Sequence, residues 1–136
     1  EGFSLPEGFS DPQFCLPGIL AIKSPAYVAS LPAKEQAEVL CAHLERFNLN
    51  DAPLILLVDD SRFTAANTNN FVWATFTRAN PSHDVYGVQA FTEFKHWGCK
   101  GPLVIDARKK PHHAPELVPD PEVDNRMAEL MEKYGF

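Results

Sequence analysis

Three clusters in the 136-residue chain combine residue types that could do chemistry. The first is Asp59-Asp60-Ser61-Arg62, paired carboxylates beside a hydroxyl and a guanidinium. It follows an unbroken apolar run, Leu-Ile-Leu-Leu-Val at 54–58. Open α/β sheets often bind ligands beyond the carboxyl ends of such strands. Acidic turns after strands also cap helices, and the structural role is the one favoured here for Asp59, Asp60 and Arg78. The second cluster is His96-x-x-Cys99 with His112-His113 further on. Imidazole and thiolate are zinc ligands, four to a tetrahedron. Adjacent histidines point apart on an extended chain and no second Cys pair completes the set, so no metal site is assigned. The third is Phe94-Lys95-His96, an apolar ring, a fixed cation and a titratable imidazole in a row. A phenolic acid could use each: ring contact on Phe94, charge compensation from Lys95, a hydroxyl partner in His96. The competing reading makes His96-Trp97-Gly98-Cys99 a packed turn in which Trp97 fills a gap. No Walker or G-x-G-x-x-G loop and no Gly-x-Ser-x-Gly elbow is present, and no catalytic residue is assigned.

Positioning these residues falls to alternating strands and helices. Residues 18–23 (Gly-Ile-Leu-Ala-Ile-Lys) and 54–58 read as short buried strands, and 103–106 as a third short strand. Ala37, Leu40, Leu44 and Phe47 recur at three and four, the apolar stripe of a helix capped by Ser30 with Pro32 in its first turn. A second helix over 68–77 carries Phe71, Val72, Thr75 and Phe76, with Trp73 packed in the core and Arg78 at the helix end, where a cation contributes about 0.3–1 kcal/mol. Asp120 and Pro121 start a last helix striped by Val123, Met127, Leu130, Met131 and Tyr134, and Gly135 stops it. That stripe is the expected subunit contact. The order predicts one α/β domain with a small, mostly parallel sheet flanked by helices. Twelve prolines against seven glycines make both ends extended and Pro-rich. Residues 1–17, with two Gly-Phe-Ser triplets, read as an extended arm whose Phe3, Leu5 and Phe9 need a surface to cover, with a frayed terminus as the competing reading.

Composition narrows the partners. Acidic residues outnumber basic ones by 18 to 12, a formal charge of −6, which disfavours phosphate-backbone binding and so nucleic acid. No apolar run nears the ~18 residues of a membrane span. Three cysteines are an odd, sparse set that fits a reducing, cytoplasmic setting. The chain lacks an initiating Met and is expected to begin at a processed or cut end.

Four motifs in series carry a family resemblance: Val58-Asp59-Asp60, Trp73-Ala74-Thr75-Phe76-Thr77-Arg78, Asn80-Pro81 with Asp84, and Asp106-Ala107-Arg108 with Lys110. Their order resembles the C-terminal domain of the UbiD-like family of reversible aromatic and α,β-unsaturated acid (de)carboxylases, over about residues 18–131. Ser61-Arg62 after the paired acids, and Arg108 where the family has Thr, depart from the pattern.

The resemblance implies that residues 18–136 form a UbiD-like C-terminal α/β domain, either cut from a longer chain or a separate small subunit. The family's prenylated FMN, its metal ions and its Glu-Arg-Glu catalytic set belong to another domain, so none of these is expected on this chain. Its partners would be a flavin-binding domain or subunit, an aromatic acid substrate and, through self-association, at least one further copy. Its duties would be oligomerisation and closure of the substrate pocket of a carboxy-lyase. By position after Thr77-Arg78, Phe94, Lys95 and His96 match the family segment that contacts the substrate ring, and the imidazole favours a hydroxylated aromatic acid. A non-catalytic assembly or regulatory subunit is the alternative.

Overall fold

The protein is described by a computed structural model, which covers residues 3–28, 31–110 and 121–134, without the side chains of 121–124. Strands β1 (Ser10–Leu16), β2 (Ile19–Lys23), β3 (Leu54–Val58) and β7 (Leu103–Asp106) form a five-stranded sheet with β4 (Val85–Gly87), in the order β1-β2-β3-β7-β4. The central strands β2, β3 and β7 run parallel, and the edges β1 and β4 pair antiparallel. The fold is thus α/β with a parallel centre. Strand β3 is apolar throughout because both its faces are covered.

Helix α1 (Ala33–Leu44) covers one face, packing Ala37, Leu40, Cys41 and Leu44 against Leu20, Ile22, Ile55, Leu57 and Val104. The expected cap at Ser30 lies outside the described residues; Pro32 holds the N-cap position without a side-chain bond. Phe47 falls beyond the helix yet still packs on this core. The opposite face joins Ala21, Leu56, Val58 and Ala107, with Phe71 of helix α3 (Thr68–Arg78) against them. Helix α2 (Ser61–Ala65) lies beside β1, where the Ser61 hydroxyl donates to the Asp11 carbonyl and Arg62 Nε meets Asp11 Oδ2 at 2.9 Å.

Residues 10–16, inside the span read as an arm, pair with β2 through the turn at Pro17-Gly18, where Gly18 takes φ 87°. Ahead of it Phe9 is buried, Leu5 packs on the α1 core, and the Phe3 ring meets Phe47 edge-on at 5.4 Å. The last helix, α4 (Pro121–Lys133), leaves Met127, Leu130, Met131 and Tyr134 exposed. The expected Asp120 cap and Gly135 stop lie outside the described residues, as does the side chain of Val123. Among the described residues no helix is long and apolar enough to cross a membrane.

Trp73 departs from expectation. It is 40% exposed, not core, because α3 turns Phe71, Ala74 and Thr75 toward the sheet and Val72, Trp73 and Phe76 away from it. Thr75 is buried, and its Oγ1 has no hydrogen-bond partner among the described residues. An unpaired buried hydroxyl costs about 1–3 kcal/mol, whereas an apolar group of similar shape avoids that cost. Thr75→Val is therefore expected to raise the unfolding free energy by about 1 kcal/mol. Urea denaturation reads this as a higher midpoint at unchanged slope; a lower midpoint would mean that the hydroxyl is satisfied after all.

Candidate functional site

The sheet brings its polar residues to two separate places. At the carboxyl ends of the parallel strands, β3 delivers Asp59 and Asp60, and β7 delivers Asp106 through Lys110. Asp60 caps α2, its Oδ1 accepting the Phe63 N–H at 3.1 Å. Asp59 Oδ2 accepts the Lys109 N–H at 2.8 Å and lies 3.6 Å from Arg78 Nη1. Arg78 ends α3 and lies over the Trp73 ring, 4.7 Å from its centre. These side chains close turns and helix ends, the structural role expected for them.

Deeper in the same edge sits a charged quartet that sequence reasoning did not place in the interior: Asp84, Asp106, Arg108 and Lys110, all buried. Arg108 grips both Asp106 oxygens at 2.9 Å, the bidentate geometry that a planar guanidinium favours. Its Nη1 donates to Gln36 Oε1 at 2.6 Å and to the Pro25 carbonyl at 3.0 Å. Lys110 Nζ donates to the carbonyls of Asp106 at 2.8 Å and Arg78 at 3.1 Å, and lies 3.3 Å from Asp84 Oδ2. Asp84 in turn accepts the Asn80 N–H at 2.6 Å. Two anions and two cations cancel, and the partners join β7 to α1, α3 and the turn before β4. This is a lock on the fold; its donors are committed to neighbouring groups.

The second place is a hairpin at the other end of the sheet. Because β4 runs antiparallel to β7, it carries the chain away from Asp84 toward the start of β7, and the hairpin begins there. Strands β5 (Ala90–Glu93) and β6 (His96–Cys99) pair antiparallel, with Glu93 opposite His96. The segment 96–99 is therefore a strand and not a packed turn; the turn is Phe94-Lys95. Both of its residues have positive φ, 51° and 65°, the signature of a type I′ connection. Phe94 is 87% exposed at the tip, with Lys95 and His96 exposed beside it. The structure thus sets the three predicted residues together and away from Asp59, Asp60 and Arg78.

Hairpin packing depends on two glycines. A Cβ on Gly87 would lie 2.5 Å from the Cys99 Cβ and 3.2 Å from Trp97 Cη2, so β6 lies close over β4 there. A Cβ on Gly98 would come within 3.0 Å of Phe91 Cζ, so that ring covers its cross-strand glycine. Sequence reading missed Phe91. The signal available was an aromatic facing a glycine across a hairpin whose turn has the wrong residues.

Of the residues weighed for a metal, His96 and Cys99 begin and end β6, and His112-His113 lie outside the described residues. Among the described residues no three His, Cys, Asp or Glu are grouped to hold a metal ion. The three thiols are free, and burial pushes each up: Cys41, in α1, to about 11, with Cys15 and Cys99 also raised. Such thiols stay protonated and are poor nucleophiles at neutral pH.

Comparison with known proteins gives the relationship. Over 87 residues, 64% of this chain, it is 32% identical to a 4-hydroxybenzoate decarboxylase subunit of Chlamydia pneumoniae. The chain is related to the UbiD-like decarboxylases. An uncharacterized protein of Chlamydia caviae is 27% identical over 139 residues, 98% of this chain. The chain spans only 15% of the first of these relatives and 22% of the second. No family model matches. Among solved structures, vanillic acid decarboxylase of Sedimentibacter hydroxybenzoicus superposes with TM-score 0.45 at 18% identity, covering 87% of this chain and 27% of that one. A dimeric form of the UbiD-class enzyme HmfF of Pelotomaculum thermopropionicum, in complex with prFMN, gives 0.46 at 18% identity, covering 79% and 21%. The motif-based resemblance to UbiD-like enzymes agrees with the sequence relationship.

Proposed function

We propose that this chain is the C-terminal domain or a small subunit of a UbiD-like, cytoplasmic carboxy-lyase that reversibly (de)carboxylates a hydroxylated aromatic acid. One observation supports a place at the substrate pocket: the hairpin tip presents Phe94, Lys95 and His96 together and exposed, with Phe94 and Lys95 on a backbone shape that those two residues do not favour. The similarity to a 4-hydroxybenzoate decarboxylase subunit supports the reaction class. In this reading the tip closes one wall of the pocket. The Phe94 ring lies against the substrate ring, His96 hydrogen-bonds the hydroxyl, and Lys95 balances the carboxylate.

The cofactor of such an enzyme, prenylated FMN with metal ions, would supply the electron sink for the carbon–carbon step. The described residues do not fit it. Among the described residues no three His, Cys, Asp or Glu are grouped for a metal, and the buried cations of the carboxyl edge are committed to Asp84, Asp106 and backbone carbonyls. In this reading the cofactor belongs to a flavin-binding domain or subunit that closes on this one. The alternative, a non-catalytic assembly subunit, draws on the exposed aromatics of α2 and α3.

His96→Ala and His96→Leu in the reconstituted enzyme test the reading. Loss of a hydrogen bond to a phenolate, worth about 1.5–3 kcal/mol, should lower kcat/KM for a hydroxylated acid about tenfold or more. An unhydroxylated acid should be turned over nearly as before. Equal, small losses on both acids would remove His96 from the pocket.

A further inference from the structure

We propose that Glu93 is the positioning residue for His96: its carboxylate accepts one imidazole N–H and so turns the other ring nitrogen to the substrate's hydroxyl. This rests on the substrate-pocket reading above and adds a residue to it.

The register of the hairpin carries the assignment. Side chains alternate between the two faces of a strand, and directly opposed residues share a face. A Cβ on Gly87 would meet Cys99 and Trp97, so those two side chains face β4. His96 and Gly98 therefore face the opposite way, and so do their cross-strand partners Glu93 and Phe91. The Phe91 ring lying over Gly98 agrees with this. The outer face of the hairpin is thus the Phe91 ring beside the pair Glu93 and His96, next to the tip that carries Phe94 and Lys95.

Opposed residues of an antiparallel pair have Cβ atoms about 4.5–5.5 Å apart, a gap that a glutamate and a histidine close by side-chain rotation alone. The two-residue turn fixes this spacing on one side, and the pairing of Phe91 with Gly98 fixes it on the other. Both Glu93 and His96 are exposed, and among the described residues neither side chain makes a hydrogen bond or ion pair. Catalytic hydrogen bonds are often long before a substrate closes the site and tighten in the complex.

The chemistry of imidazole gives the acid its role. The partner of one ring nitrogen decides which nitrogen carries the proton and where the other points. A carboxylate on the same face of the hairpin is such a partner. It would also repel an anionic substrate if it stood alone, and engagement by His96 with Lys95 alongside offsets that charge. Lys95 is the competing partner; tied to it, Glu93 would balance charge and leave the imidazole unheld.

Glu93→Gln keeps the length of the side chain but presents an amide that donates as well as accepts, so the ring is no longer held one way round. In the reconstituted enzyme it should lower kcat for a hydroxylated acid about tenfold, with a smaller change in KM, and spare an unhydroxylated acid. Thermal unfolding of the chain should be unchanged. In a His96→Leu background the same change should have less than about a twofold effect, as for two residues acting through one contact. An effect of Glu93→Gln that persists in full when His96 is replaced would overturn the proposal. So would equal losses on both acids, or no loss while His96→Leu keeps its large effect; the pocket reading would then stand without Glu93. If His96→Leu is itself without effect, the pocket reading fails and this inference fails with it.

Discussion

Asp106→Asn should lower the unfolding free energy of this domain by about 3–5 kcal/mol, the cost of removing one partner from a buried ion pair. Asp106 is fully buried and serves two cations at once, both Arg108 nitrogens at 2.9 Å and Lys110 Nζ at 3.7 Å. In the variant, Arg108 and Lys110 remain in the interior facing only Asp84, one positive charge in excess. Arg108 would keep Gln36 and the Pro25 carbonyl, which satisfy hydrogen bonds without cancelling charge. Since small domains are stable by only about 5–15 kcal/mol, much of the stability is at stake. Urea denaturation followed by far-UV circular dichroism measures it. A loss below about 1 kcal/mol would mean that water reaches the quartet and screens it, as it does surface pairs. The companion change Arg108→Met with Asp106→Leu removes both charges and should cost less than Asp106→Asn alone, because an apolar pair leaves neither member unpaired.

The quartet shows where the sequence stops being legible. Leu54–Val58 and Leu103–Asp106 are strands with the expected bounds, and α3 ends one residue past the expected 77, at Arg78. Unbroken apolar runs and three-four periodicity are local signals, and they suffice for those elements. Burial of Arg108 and Lys110 is not local: it depends on Gln36, far back in the chain, and on Asp84, in the turn before β4. Strand β1 carries Pro12 and positive φ at Asp11 beside a register irregularity, so its pattern reads as an arm until β2 pairs with it. Trp73 escapes the sequence for a related reason: aromatic composition alone does not say which face of a helix meets the sheet.

Replacing Phe94-Lys95 with Asn-Gly should stabilise the domain and impair the carboxy-lyase proposed for it. Positive φ costs a side-chain-bearing residue roughly 1–2 kcal/mol, and a phenylalanine or lysine lacks the short polar group that eases it. Asn-Gly is the pair that a two-residue I′ turn prefers. With Phe94 at φ 51° and Lys95 at 65°, the double change should raise the unfolding free energy by about 1–2 kcal/mol, after allowing for the extra freedom glycine gives the unfolded chain. Among the described residues nothing repays the native pair, since Phe94 is 87% exposed there and gains almost no burial. A strained turn that holds an apolar ring in water has its compensation outside the domain, and the proposed substrate pocket supplies one. Covering a phenylalanine ring contributes about 1.5–3 kcal/mol, so its loss in the proposed carboxy-lyase, once reconstituted, should lower kcat/KM about ten- to a hundredfold. Thermal unfolding of the isolated chain and turnover of the assembled enzyme read the two halves independently. A variant that is no more stable than the parent would show that the turn is unstrained. A variant that is stabilised and fully active would show that the tip is strained for some purpose other than the substrate pocket.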